Sequence, residues 1–368
     1  MKKAEMTGYM PVRLYTGAGC VMQQAEELRK LGTKPLLVTG RHSAKVSGAL
    51  DDVLRAVDGP YALFDAIGQN PLLTDCMRAA ELAIQTQCDY VIGIGGGSPL
   101  DAAKCIAVLT ANPGMTQDVL YSLQWPKDPL PIAVVGTTAG TGSEVTKVAV
   151  ITVPGGRKKS FHHEAIFPRV ALGDPRYTCS MSSTSTASTA IDALAHATES
   201  FFSRKANELS QNYALRAVTL LMPELKKILQ QEELTFDDRE ILYNASIYGG
   251  LAINSTGTCL PHAMGYLLTE QHGLPHGYAC AMFLPEFLKI NEQEQPELTR
   301  KYFTETGCSY GDWLDIVTGL LQEIHVEIPE EEIIREHSRW IGNGSIQKGW
   351  GEITPEACDE ILRRISQE

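Results

Sequence analysis

The feature that most constrains the fold is a single change of hydrophobic period partway along the chain. Up to about residue 178, short apolar runs at 35–39, 90–94, 132–135 and 148–153 alternate with longer stretches at 21–31 and 74–87 that have a helical pattern. Strand and helix in alternation predict a largely parallel, layered sheet. After about residue 180 the strand signal fades, and the segments 187–204, 209–231, 237–256 and 285–291 repeat apolar residues three and four apart, as helices do. The reading is an α/β domain with a largely parallel sheet over 1–178 and an all-α domain over 179–368, joined near Asp174-Pro175-Arg176. A length of 368 residues suits two cores. The Ser- and Thr-rich stretch 180–189 is expected to precede and cap the first helix of the second domain.

That second domain carries four candidate metal ligands. Asp192 and His196 are four apart in a run of helix formers, which places both side chains on one face. His262 and His276 are fourteen apart. On one unbroken helix they would stand about 21 Å from each other and could not share an ion. Gly273 and Pro275 lie between them and predict a break, so that His276 opens a second helix. One carboxylate and three imidazoles form an oxygen and nitrogen set suited to Fe(II) or Zn(II), without the thiolates of a closed structural zinc site. A catalytic metal is expected.

Two polar turns in the first half suit an anionic ligand. The run at 88–94 reads as a buried strand, and Gly95, Gly96, Gly97 and Ser98 follow it directly before a helical stretch. Glycines admit close backbone approach, and a helix start presents unpaired N–H groups and a positive dipole end. Ser98, Pro99 and Asp101 also read as a capping-box-like helix start, which is compatible with ligand contact. After the run at 132–135 comes a second turn containing Thr137, Thr138 and Thr141. It reads equally as an ordinary loop and cap, but two such turns at strand ends suggest a nucleotide laid along the sheet edge.

Charge narrows the partners. The formal net charge is -12, with 43% hydrophobic and 21% charged residues, which argues against nucleic-acid or anionic membrane partners and for a small-molecule substrate. The nine cysteines are scattered and form no C-x-x-C pair. With no apolar leader or membrane-length span in view, a cytoplasmic location is expected.

The chain resembles the iron-containing, or group III, alcohol dehydrogenases across nearly its whole length. The resemblance rests on GGGSPLDAAK at 95–104, TTAGTGSEVT at 137–146, DPRYTCSMS at 174–182, DALAHATES at 192–200 and HAMGYLLTEQHGLPHG at 262–277. It implies a dehydroquinate synthase-like architecture: an N-terminal dinucleotide-binding domain, a helical C-terminal domain and a site in the cleft between them. It also implies that Asp192, His196, His262 and His276 ligate iron, with zinc as the alternative. The turn at Gly95, Gly96, Gly97, Ser98 and Asp101 is implied to meet a pyrophosphate. Thr137, Thr138 and Thr141 are implied to face the adenosine and phosphate side, and Asn70 and Lys158 match positions that approach the cofactor. Many members carry a further histidine four residues after the first of the His-rich segment, where this chain has Tyr266. That leaves Tyr266, His272, the cofactor ribose or water to carry the proton.

Coenzyme choice is read at the end of the second expected strand. NAD-dependent members often place an acid there, whereas this chain has Gly40, Arg41, Ser43 and Lys45. With nothing acidic to repel a 2′-phosphate, NADP is expected over NAD. The resulting expectation is a homodimeric, metal-dependent alcohol dehydrogenase or aldehyde reductase acting on a small primary alcohol or its aldehyde. The alternatives are a zinc polyol dehydrogenase resembling glycerol dehydrogenase, a lyase resembling dehydroquinate synthase, and a non-catalytic nucleotide-binding regulator.

Overall fold

Uninterrupted apolar runs suit strands buried on both faces, and the central strands here are covered on both. The computed structural model describes residues 6–367. Its strands are β1 (Arg13–Thr16), β2 (Pro35–Gly40), β3 (Ala62–Ile67), β4 (Tyr90–Gly95), β5 (Ile132–Gly136), β6 (Val148–Thr152), β7 (Lys158–His162) and β8 (Val170–Gly173). Six of them form one sheet in the order β1-β8-β5-β4-β2-β3, with every neighbouring pair parallel. Leu36, Val38, Val91, Ile132 and Val134 pack on one face with helical residues such as Ala79, Ala83, Ala103 and Ile106. Leu37, Ile92, Ile94, Ala133 and Val135 pack on the other with Val21, Leu28, Val53 and Ala56. Alternate residues of each strand thus feed two cores.

The run at 148–153, expected in the main sheet, lies elsewhere. β6 pairs antiparallel with β7 in a separate two-stranded sheet, closed by a turn in which Gly155 and Gly156 both have positive φ. The expected helix at 21–31 is likewise two short ones, Cys20–Gln23 and Ala25–Arg29, with Gln24 departing from helical dihedrals.

The strand order reverses between β2 and β4, because β2 leads outward to β3 while β4 leads the other way to β5. Ligands of open parallel sheets bind at such a switch point, beyond the carboxyl ends of the strands. β2, β4, β5 and β8 all end there in glycine, namely Gly40, Gly95, Gly136 and Gly173. The register aligns Gly95 with Gly136 and Gly136 with Gly173.

Tyr9–Ser182 and Thr235–Gly250 form the unit that holds this sheet. The chain therefore returns to it after leaving. Tyr243, on the helix Phe236–Thr256, donates its hydroxyl to Glu144 Oε1 at 2.8 Å. The glycines make room for this: a Cβ on Gly173 would stand 2.3 Å from Tyr243 Cε1, and one on Gly136 2.3 Å from its hydroxyl.

The other unit takes Ser183–Leu234 and the chain from Leu251 onward, and is helical. The Ser- and Thr-rich run does more than cap it: the first long helix begins at Ser183 and runs to Phe202, so most of that run forms its opening turns. The far end of this helix is anchored by Phe201 and Phe202, whose ring centroids lie 5.1 and 5.2 Å from that of Tyr302, and by Thr198 Oγ1 bonded to Tyr302 Oη at 2.9 Å. Among the described residues, no helix is long and apolar enough to cross a membrane.

Candidate functional site

In the helical unit, three helices converge on one buried point. Asp192 and His196 share a face of the Ser183–Phe202 helix one turn apart. His262 sits near the start of the Leu260–Gln271 helix, and His276 opens the His276–Ala281 helix. Between them Gly273 adopts φ 67° and Pro275 precedes the new helix, so the chain folds back within four residues. Gly277 permits the approach, because a Cβ there would stand 1.7 Å from Ser188 O and 3.0 Å from Asp192 Cβ.

The donor atoms that close on one another come from Asp192, His262, His276 and Cys280, all within 4.8 Å. His196 lies against them, its ring stacked on that of His262 with centroids 4.5 Å apart and planes 24° from parallel. Asp192 Oδ1 and His262 Nε2 are 3.5 Å apart, buried, and without a hydrogen-bond partner. A buried polar atom left in that state is destabilising by about 1–3 kcal/mol, and a cation between the two atoms would satisfy both. The donor set therefore fits a divalent metal. The sequence reading held only oxygen and nitrogen ligands; the close-set atoms include the Cys280 thiol and do not include His196.

Glu199 explains the orientation of His262. The imidazole Nδ1–H donates to Glu199 Oε1, while Glu199 Oε2 accepts the backbone N–H of Cys259 at 2.5 Å. A carboxylate only accepts, so this bond fixes the tautomer and leaves Nε2 with its lone pair directed to the cluster. Sequence reasoning passed over Glu199, although the spacing 192, 196, 199 is one helical face. Burial works to raise the Asp192 pKa, but His196 first and then His262 and His276 outweigh it and hold the carboxyl well below the usual range. Burial lowers the His262 pKa, and the surrounding Cys280, Glu199 and Asp192 raise it by more. The pocket favours positive charge.

The two residues considered for proton transfer are placed differently. Tyr266 stacks on His276, with centroids 5.5 Å apart and planes 14° from parallel. His272 caps the Leu260–Gln271 helix, and its Nε2 is paired with Glu332 Oε1 at 2.9 Å.

In the sheet unit, Gly95 takes φ 148° and the helix Gly97–Ala111 begins at once, with Gly96 as its N-cap. Ser98 is therefore inside the first turn and not its cap; its Oγ accepts the N–H of Asn70 at 3.2 Å, and Asn70 itself has φ 59°. Asp101 does not close a capping box either. Its Oδ1 accepts from Ser143 Oγ at 2.6 Å and its Oδ2 from Val150 N–H at 2.9 Å, which ties this helix to the second turn and to β6. Thr138 and Thr141 lie over the glycines, since a Cβ on Gly96 or Gly97 would meet them at 2.9 and 2.6 Å. Thr137 Oγ1 is buried with no hydrogen-bond partner, an atom able to meet a ligand oxygen beside the helix start. Lys158 opens β7, opposite Thr152. Lys104, unremarked in sequence, is wholly buried and donates to Ser143 O and Oγ, Thr146 Oγ1 and Val148 O at 2.7–3.2 Å.

At the end of β2, Arg41 and Ser43 are exposed. The expectation that nothing acidic stands here is corrected by Asp65 of the neighbouring β3, whose carboxylate pairs with Lys45 Nζ at 2.9 Å. That pairing, with a smaller contribution from Arg41, lowers the Asp65 pKa. The acid was missed because it is supplied by the adjacent strand and not by the turn itself.

The chain is similar to known proteins over most of its length. The family description "Iron-containing alcohol dehydrogenase" matches residues 11–175, and "Fe-containing alcohol dehydrogenase family, C-terminal" matches 186–322. Long-chain-alcohol dehydrogenase 1 of Geobacillus thermodenitrificans is 33% identical over 364 residues, covering 96% of this chain and 88% of its own. The probable alcohol dehydrogenase EutG of Escherichia coli is 33% identical over 301 residues, covering 81% of this chain and 75% of its own. A solved iron-containing alcohol dehydrogenase from Thermotoga maritima superposes with a TM-score of 0.92 at 34% identity, covering 99% of this chain and 100% of that one. The chain belongs to the iron-containing alcohol dehydrogenase family, and is an alcohol or aldehyde oxidoreductase of that family.

Proposed function

We propose that this protein is a metal-dependent, NADP-preferring enzyme that interconverts a small primary alcohol and its aldehyde. The observation that carries the reading is the convergence of Asp192, His262 and His276, with two buried donor atoms directed at each other and bonded to nothing. Asp192, His196, His262 and His276 hold the divalent cation, with Fe(II) the first candidate from the family. When bound, the metal supplies Lewis acidity toward the substrate oxygen, and the nicotinamide coenzyme exchanges the hydride. Glu199 keeps His262 in the tautomer that leaves Nε2 available. The helix start at Gly97 offers backbone N–H groups to a pyrophosphate, with Gly95 and Gly96 admitting it closely. Thr137 Oγ1 supplies a further polar contact. Tyr266, stacked on His276, is better placed to carry a proton than His272, which is engaged by Glu332. Arg41 and Ser43 meet the coenzyme 2′-phosphate, and Lys45 neutralises Asp65 beside them.

The test is an anaerobic screen of NADPH and NADH oxidation against short aldehydes, with the metal-free protein reconstituted with Fe(II) or Zn(II). NADPH consumption that depends on added metal, with kcat/KM higher for NADPH than for NADH, is expected. A clear NADH preference rejects the coenzyme assignment, and absence of turnover with every metal and aldehyde rejects the activity.

A further inference from the structure

The ring of His276 is held on two sides by the helix that precedes it. Gly273, at φ 67°, breaks the Leu260–Gln271 helix, and the chain folds back so that Tyr266 and Thr269 of that helix meet the residue opening the next one. Tyr266 stacks on the imidazole with planes 14° from parallel, which fixes the plane of the ring. Thr269, which is buried, places its Oγ1 3.4 Å from His276 Nδ1, which fixes the rotation of the ring within that plane. At 3.4 Å the contact is long, and the stacked tyrosine keeps the ring from turning away from it. The Thr269 hydroxyl proton has a nearer acceptor in the carbonyl of Gly265, one turn back at 3.1 Å, a common partner for a threonine within a helix. A hydroxyl whose proton is engaged there meets the imidazole with its lone pairs. The ring then carries its proton on Nδ1 as the donor, and Nε2 keeps its lone pair. Cys280 Sγ does not compete for that proton: it stands 3.6 Å from Nδ1 and 3.8 Å from Nε2, nearly equidistant, and so lies along neither N–H direction. Glu199 selects the same tautomer of His262.

We propose that Thr269 is a positioning residue for the metal ligand His276: its hydroxyl accepts from Nδ1–H and so presents Nε2 to the cation. The inference rests on the metal-dependent reading of this site given above. In a ligating histidine, the hydrogen bond made by one ring nitrogen decides which tautomer and orientation the other offers to the metal. A neutral hydroxyl is a weaker acceptor than the Glu199 carboxylate, so its loss should weaken binding less than removal of Glu199 does.

Thr269→Val removes the hydroxyl at nearly constant shape, and Thr269→Ser keeps it. Zn(II) affinity of the metal-free protein, measured by competition with a chromophoric chelator, should fall about 10-fold in Thr269→Val, the lower end of the range for losing an outer partner of a ligating histidine. Thr269→Ser should recover most of that loss. Nitrogen-15 spectra of the imidazole-labelled, metal-free protein supply a second readout, at a pH where His276 is neutral and with His276→Asn to assign its signals. They should show the Nδ1–H form in the unaltered protein and in Thr269→Ser, and a mixture with the Nε2–H form in Thr269→Val. A threonine that served only packing would move the melting temperature without moving that ratio. An Nε2–H ring in the unaltered protein, undiminished zinc affinity in Thr269→Val, or equal losses in the Val and Ser variants overturns the proposal and leaves the metal reading standing. Failure of the unaltered protein to bind zinc or iron(II) at all overturns both.

Discussion

Gly277 approaches Ser188 so closely that a β-carbon on it would stand 1.7 Å from the Ser188 carbonyl oxygen. This contact sets the distance between the helix bearing Asp192 and the helix bearing His276. Gly277→Ala must push the two apart. Overpacking of this kind destabilises by about 1–3 kcal/mol, occasionally more. Thermal melts should report that loss, and metal analysis should find less bound cation. Gly273→Ala is the control, because that residue has φ 67° with nothing within 4 Å of its missing β-carbon. Its cost should be limited to the left-handed backbone, about 1–2 kcal/mol.

Glu199→Ala should weaken metal binding by about 10- to 100-fold, the range for losing a carboxylate that orients a ligating histidine. Glu199→Gln should lose less, since its one amide oxygen can still accept from His262 Nδ1–H, while its NH2 takes the place of the oxygen that accepts from Cys259 N–H. Competition with a chromophoric chelator measures the order; equal affinities for the Ala and Gln variants would remove the orienting role.

Asp65→Asn should raise the ratio of kcat/KM for NADPH to that for NADH. The substitution removes a carboxylate and frees Lys45, now paired with it at 2.9 Å. Exposed ion pairs contribute at most about 1 kcal/mol, so the gain should not exceed about fivefold. Arg41→Ala should lower the same ratio. Steady-state kinetics with both coenzymes check the two together.

Lys104→Met should destabilise the sheet unit by about 3–5 kcal/mol, as loss of one partner from a buried polar cluster does. The change strands the acceptors of Ser143, Thr146 and Val148 and leaves Asp101 without its neighbouring ammonium at 3.6 Å. Denaturant melts measure the loss. Weaker coenzyme binding should accompany it, since the same lysine holds the second turn against the helix that starts at Gly97.

Asp89 gives a dependence on pH. Its carboxylate accepts from Thr33 N–H at 2.8 and 3.0 Å, Thr33 Oγ1 at 2.7 Å and Lys34 N–H at 2.8 Å. Burial raises its pKa, but these donors outweigh it and the net shift is downward. A lowered folded pKa means stabilisation that is present above the unfolded value of about 3.9 and lost as pH falls through the folded one. Asp89→Asn should therefore lower the melting temperature at pH 7 by more than at pH 3. A penalty independent of pH would contradict this.

What the sequence made legible follows from range. β4 and β5 were visible as apolar runs because both faces of each are buried, and the helix break before His276 was visible because Gly273 and Pro275 are local signals. Arg13–Thr16 and Val170–Gly173 are only four residues each, too short to carry a period. The run at 148–153 showed a strand but not its partner, since pairing with β7 is fixed by a turn and not by hydrophobicity. Return of residues 235–250 to the sheet unit left no mark in the helical pattern; the Tyr243 bond to Glu144 that accompanies it spans 99 residues. In the metal cluster, Cys280 was overlooked because a scattered thiol has no motif until Gly265 and Gly277 bring their helices together.

The aligned glycines at the ends of β2, β4, β5 and β8 have a consequence for how this sheet edge can diverge. Two of these ends are filled from within, Gly136 by Glu144 and Tyr243 and Gly173 by Tyr243, so a side chain at either would displace that buried pair. Change at this sheet edge is therefore left to the positions that flank it, Arg41, Thr138 and Thr141 in the loops and Asp65 on β3, while the strand ends stay fixed as glycine.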